Sequence, residues 1–205
     1  MRPALAVLAD LDIDPALSAA LRARFEHFGR PHGLRTLAMA TELLRVAGAL
    51  EAAGIPFVAF KGAVLALQLY GDLAAREYAD IDLMVPPERA EAAQAVLADL
   101  GYRNAQGDPA FVRFFLGVQR QVALERPGLD AAIDLHWAFT ADALPFPLAP
   151  GETWARLDSV ALGGRTVPTL AAEDLALLLA GHGTKEAWHN LAWVADVARL
   201  VERYP

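Results

Sequence analysis

The six residues Asp80-Ile81-Asp82-Leu83-Met84-Val85 alternate strictly between polar or bulky-flexible and branched aliphatic side chains. That period of two is the mark of a strand with one buried face. Ile81, Leu83 and Val85 are expected on the core side, and Asp80 and Asp82 project together from the other, with Cα atoms roughly 7 Å apart. A second segment, Ala131-Ala132-Ile133-Asp134-Leu135-His136-Trp137, repeats the pattern: Ile133, Leu135 and Trp137 share one face, Asp134 and His136 the other. If the two strands are neighbours, three carboxylates converge. Unit charges about 4 Å apart repel by about 4 kcal/mol at an effective dielectric near 20. Such a gathering therefore calls for a cation or for a proton on one member. Oxygen ligands of this kind suit Mg²⁺ or Mn²⁺. His136 is read as a hydrogen-bonded structural partner of this face in preference to a group that polarises substrate.

The rest of the chain supplies helices around these strands. Residues 15–28 and 34–53 read as two helices, the second carrying Leu37, Leu44, Ala47 and Leu50 at helical spacing and stopping at Gly54. Ile55–Phe60 is a short buried strand, Lys61-Gly62 breaks it, and Ala63–Tyr70 resumes helical periodicity, with a loop over 71–79. Pro87–Leu100 is an amphipathic helix, 111–116 an aromatic stretch of ambiguous type, and 118–137 a hairpin turning at Arg126-Pro127-Gly128. A proline-rich connector over 141–150, a short helix around Trp154, a hairpin turning at Gly163-Gly164 and helices over 171–180 and 185–202 complete the chain. The expected class is α+β: a small mixed sheet with flanking helices. The expected divisions are an N-terminal helical element (1–53), an α+β core (54–168) and a C-terminal helical lobe (169–205).

Composition narrows the function. With 205 residues there is room for one good-sized core. A net charge of −7 argues against a general nucleic-acid surface, which needs clustered Lys and Arg. The absence of cysteine excludes thiolate chemistry and disulfides and fits a reducing compartment. No stretch has the length of a membrane span, and the N-terminal apolar run is too short and too acidic for a secretory signal. The expectation is a soluble, cytoplasmic protein.

The run FKGAVLALQLYGDLAAREYADIDLMV resembles the signature segment of an uncharacterised bacterial nucleotidyltransferase family within the DNA polymerase β-like superfamily. The resemblance continues in IDLHW and in GHGTKEAWHNLAWVADVARLV, so it touches three separated places between residues 55 and 200. It implies a polymerase β-like nucleotidyltransferase core and an enzyme that moves a nucleotidyl group from an NTP in the presence of Mg²⁺ or Mn²⁺. Asp80, Asp82 and Asp134 would hold the metal, with Asp134 also serving as general base. Lys61 and Gly62, at the strand-to-helix turn, would receive the triphosphate. Arg76 would bind phosphate or pair with Asp80. His182 and Lys185 would reach the nucleotide or the acceptor, or else cap and hinge the last two helices, with Trp188 and Trp193 as core anchors. Asp196 is read as a salt-bridge or packing residue. The chain departs from the wider superfamily in having Gly62-Ala63 where Gly-Gly or Gly-Ser is usual, and in the longer gap from Gly62 to Asp80. That departure keeps an inactive nucleotide-binding or regulatory module in play, beside a kinase-like transfer of the γ-phosphate. The acidic surface favours a small molecule, peptide or protein as acceptor over long nucleic acid.

Overall fold

The computed structural model describes residues 15–104, 120–129, 131–139, 148 and 150–205. The expectations for 111–116, for the start of the hairpin at 118 and 119, and for most of the connector over 141–150 lie outside these residues.

The first helix, α1 (Pro15–Ala52), is continuous where two helices were expected. Pro31 lies inside it, exposed, and forfeits one backbone hydrogen bond without ending the helix. The compensation comes from packing. Met39, Ala40, Leu43, Val46, Ala47 and Leu50 recur at three- and four-residue steps and are all buried against the sheet. Leu37, expected on this face, falls off the stripe and is 57% exposed.

The sheet has the order β1-β2-β5-β4-β3, formed by Val58–Ala59, Asp80–Met84, Ala132–His136, Gln121–Glu125 and Arg103–Asn104. Strand β1 is shorter than the apolar run that contains it, because only Val58 and Ala59 pair, antiparallel to Met84 and Leu83. Strands β4 and β5 form the expected antiparallel hairpin. The junction that matters is β2 with β5, which run parallel with Asp82 opposite Asp134 and Met84 opposite His136. Between β1 and β2 the chain passes through α2 (Gly62–Leu65), a π-helical turn (Ala66–Tyr70) and a 3₁₀ turn (Leu73–Ala75). Helix α3 (Ala90–Asp99) follows β2, entered by a 3₁₀ turn at Pro87–Arg89.

Each face of the sheet has its own apolar cluster. Ile81, Leu83, Val85, Ile133 and Leu135 join the α1 stripe on one side. On the other, Met84 joins Val58, Phe60, Leu65 and Leu69 with residues of the two last helices, α5 (Ala172–Lys185) and α6 (Leu191–Arg203). Ahead of these helices come α4 (Pro150–Ala155) and a two-stranded hairpin, β6 (Asp158–Leu162) with β7 (Arg165–Thr169), turning at Gly163-Gly164. The face carrying Asp80, Asp82, Asp134 and His136 is therefore the one that α5 covers. Among the described residues, no helix is long and apolar enough to cross a membrane.

Candidate active site

The alternation of β2 and β5, combined with their parallel register, puts Asp80, Asp82, Asp134 and His136 on the wall of one pocket of about 650 Å³. Phe60, Lys61, Gln121 and Phe139 line the same space from the sheet side. Leu177, Leu178, His182 and Lys185 line it from α5. The volume is that of a typical small-molecule site. Of the expected site residues, the structure brings together Lys61, Asp80, Asp82, Asp134, His182 and Lys185; Gly62 and Arg76 lie outside the lining.

Asp82 is the most buried carboxylate of the pocket, its side chain 2% exposed. Lys61 Nζ donates to Asp82 Oδ1 at 3.2 Å. Burial alone would raise the Asp82 pKa, but Lys61 and His136 outweigh it and hold the carboxyl well below the usual range. Its neighbours go the other way. Burial, then the charges of Asp82 and Asp134, push Asp80 up to about 6. Burial and Asp82 likewise raise Asp134. Lys61 acts on all three carboxylates, and Arg76 adds to it at Asp80.

His136 lies on the Asp134 face, as expected, with Nε2 3.5 Å from Asp82 Oδ1. That is the long limit of a hydrogen bond, and the contact adds to Lys61 in lowering the Asp82 pKa. Among the described residues neither Nε2 nor Asp82 Oδ2 has a well-formed hydrogen bond. Asp82, Asp134 and His136 present ligand atoms that all lie within 4.8 Å of one another, a group able to hold a metal ion.

Gly62 acts through backbone geometry. Its φ is +53°, and a Cβ there would stand 3.1 Å from the Asp80 carbonyl oxygen. Glycine thus permits both the left-handed turn and the close approach of that turn to the start of β2. Ala63 is 5% exposed and belongs to the core shared with α1. A serine there would bury its hydroxyl among apolar groups and would not face the pocket.

Arg76 takes a different partner from the expected Asp80. Its Nε donates to both oxygens of Asp196, at 3.2 and 2.9 Å, and the Tyr70 hydroxyl donates to Asp196 Oδ1 at 2.8 Å. Asp196 is fully buried, as its reading as a salt-bridge residue requires. This cluster ties α6 to the loop that leads into Asp80. His182 is half-buried in the pocket; burial, then Lys61, lower its pKa to about 4, so it is neutral at pH 7. Its ring meets Trp193 edge-on, with centroids 4.7 Å apart. Lys185 is 67% exposed on its side chain and pairs with Glu186 at 3.6 Å. Trp188 is not a core anchor: it sits at φ +51° between α5 and α6 and is 37% exposed, its ring lying over Gly183. Helical spacing was the wrong premise, because α5 ends at Lys185 and α6 starts only at Leu191.

Sequence reasoning missed Phe60, Phe139, Gln121, Leu177 and Leu178 as lining residues. Phe60 precedes Lys61 directly and was legible as its neighbour; the α5 leucines read only as helix core.

A five-stranded mixed sheet bearing paired carboxylates beside a Lys-Gly turn is the nucleotidyltransferase architecture, and solved structures of that class resemble it. The antibiotic-resistance factor ANT(2″)-Ia, in its crystal complex with adenylyl-2″-tobramycin, aligns with a TM-score of 0.60 at 17% identity, covering 81% of this chain and 89% of that one. Its solution structure gives 0.59 at 17% identity, with 81% and 84% covered. The lincosamide antibiotic adenylyltransferase LnuA, bound to lincomycin, gives 0.51 at 16% identity, with 78% and 94% covered. Comparison with curated proteins by sequence gives no match. Over residues 3–205 the chain belongs to the family described as uncharacterised nucleotidyltransferase.

Proposed function

We propose that this protein transfers a nucleoside monophosphate from an NTP to a hydroxyl or phosphate group of a small-molecule acceptor, with Mg²⁺ or Mn²⁺. The single observation that carries the reading is the register of β2 with β5, which sets Asp82 against Asp134 beside Lys61 in a small-molecule pocket.

The donor set fits a divalent cation. Asp82 Oδ2 is buried without a hydrogen-bond partner among the described residues, and Asp80 and Asp134 have their pKa raised by burial and by like charge. Asp80, Asp82 and Asp134 would hold the metal, which when bound supplies neutralising charge to the triphosphate and to the transferring phosphoryl group. Lys61, released from Asp82, would bind phosphate oxygens. Gly62 would shape the turn that presents it. Asp134, with its raised pKa, would accept the proton of the acceptor hydroxyl. The new bond forms between acceptor oxygen and the α-phosphorus, and pyrophosphate leaves. Positioning and charge neutralisation carry most of the acceleration. His182, neutral, and Lys185 would contact nucleotide or acceptor from α5. Phe60, Phe139, Leu177 and Leu178 give the pocket apolar surface, which suits a base or a compact organic acceptor better than a polymer backbone. The structural relatives, whose own ligands include adenylyl-tobramycin and lincomycin, support an acceptor of that size.

The deciding experiment incubates the protein and a small-molecule extract with Mn²⁺ or Mg²⁺ and NTPs labelled separately at the α and γ phosphates. Covalent label from the α position with release of pyrophosphate is the expected result. Label from γ alone would make it a kinase. Nucleotide binding with no transferred label would make it a binding module.

A further inference from the structure

We propose that His136 is a metal ligand. With Asp82 and Asp134 it forms a mixed nitrogen–oxygen site for one divalent ion, and that site favours Mn²⁺ over Mg²⁺.

In β5, Asp134 and His136 are two residues apart and so share a face, and the parallel register sets them opposite Asp82 and Met84. Asp82 and Asp134 are thus directly paired, with His136 diagonally across from Asp82. One ligand atom from each of the three falls within 4.8 Å of the others. Ligand atoms on opposite sides of a single ion are separated by roughly 4 to 5 Å, so the spacing matches occupancy by one cation.

Two buried atoms then lack partners. Among the described residues His136 Nε2 and Asp82 Oδ2 make no hydrogen bond, although their side chains are only 10% and 2% exposed. Buried polar atoms are nearly always satisfied, so two orphans on residues of one clustered ligand set call for a missing partner. A cation serves both, in the ring tautomer that leaves Nε2 without a proton. Phe60 packs edge-on against the imidazole, with centroids 5.1 Å apart and planes at 71°, which holds the ring in this orientation.

Chemistry sets the preference. Mg²⁺ and Mn²⁺ both favour carboxylate, carbonyl and water, but Mn²⁺, a first-row transition ion, accepts an imidazole nitrogen more readily than the harder Mg²⁺ does. A set of two carboxylates and one imidazole therefore separates Mn²⁺ from Mg²⁺ more than three carboxylates would. Asp80, outside this group, remains available to a second ion carried by the nucleotide.

The test uses the whole protein with Mn²⁺ alone. Pulsed EPR of bound Mn²⁺ should show nitrogen coupling, and growth on ¹⁵N-histidine should change its frequencies. His136→Gln should abolish the coupling, narrow the Mn²⁺-over-Mg²⁺ affinity ratio at least five-fold by calorimetry, and leave Mn²⁺ bound. His182→Gln, which alters the other pocket histidine, should retain the coupling. If His136→Gln does not fold, retention in His182→Gln assigns the coupling to His136. Absence of nitrogen coupling in the wild type, its persistence in His136→Gln, or its loss in His182→Gln would each overturn the assignment. The inference bears on the ion that the proposed reaction uses, and the two fail separately. Nitrogen-coupled Mn²⁺ without α-label transfer removes the reaction and keeps the ligand, whereas α-label transfer without coupling does the reverse.

Discussion

Lys61 Nζ, at the turn from β1 into α2, and Asp82 Oδ1, in the middle of β2, are 3.2 Å apart, and this pair gives the buried carboxylate its cation. Asp82 is buried, so removing its cation strands a charge. Breaking a buried pair costs about 3–5 kcal/mol, and Lys61, 18% exposed, belongs at the low end. Lys61→Met should lower the melting temperature of the metal-free protein by about 5–10 °C. Mn²⁺ should recover more of that loss in the variant than it adds to wild type, because the ion replaces the ammonium. Equal metal-induced shifts in both proteins would show that Lys61 and the metal occupy separate places.

Asp80 makes stability depend on pH in an identifiable way. Its folded pKa, about 6, lies above the ordinary carboxylate value, so the folded chain binds a proton there that the unfolded chain has released. This contribution is complete below about pH 4 and is lost as pH rises through 6. Asp80→Asn, which cannot ionise, should therefore melt a few degrees above metal-free wild type at pH 7.5 and level with it at pH 4. The gain stays under about 3 kcal/mol, because the carboxylate touches solvent. Calorimetry at the two pH values checks it; an equal difference at both would sink the idea.

The Lys-Gly turn separates a backbone requirement from a side-chain one. Gly62→Ala meets both a left-handed φ and the Asp80 carbonyl at 3.1 Å, so it should cost about 1–3 kcal/mol and displace Asp80. Ala63→Ser puts a hydroxyl into the α1-facing core and should cost about 1–3 kcal/mol while leaving NTP affinity within two-fold. Denaturant titration with parallel nucleotide binding distinguishes them. A serine variant that binds NTP several-fold tighter would mean that position 63 does reach the phosphates.

Much of this site was legible because strands expose their faces through a period of two. Ile81 and Leu83 against Asp80 and Asp82, and Ile133 and Leu135 against Asp134, needed no tertiary information. What the alternation could not supply was register between strands far apart in sequence, and Asp82 opposite Asp134 is a property of the parallel pairing alone. The same gap left open which residues His136, already placed on the Asp134 face, would meet across the sheet. The break expected between 28 and 34 does not occur, because α1 continues through it into a long buried stripe. Trp188 and Trp193 looked like one helical face because a change of direction at Ala187 and Trp188, both at positive φ, leaves no compositional trace.

Arg76 offers a clean choice between positioning and phosphate binding. It is bonded to Asp196, fully buried, in a cluster that also includes the Tyr70 hydroxyl. Arg76→Ala leaves that carboxylate without its cation and should destabilise the fold by about 3 kcal/mol. Affinity for a metal–NTP complex, measured below the melting transition, should change less than three-fold. A ten-fold loss of affinity with little loss of stability would instead put Arg76 on the phosphates.

His182 reports the pocket's charge state from the opposite wall. Burial, then Lys61, hold its pKa near 4, and Asp82 pulls the other way. Because the folded value lies below the usual one, the neutral ring adds stability that is present above about pH 6.5 and is lost as pH falls through 4. An NMR titration of the imidazole C2 proton in metal-free protein should give that low value. Lys61→Met should raise it, since one positive neighbour is removed while Asp82 remains. Adding Mn²⁺ to that variant should push the pKa down again, because a divalent ion restores the positive charge beside Asp82. A His182 resonance indifferent to both changes would mean that α5 does not face the metal site in solution.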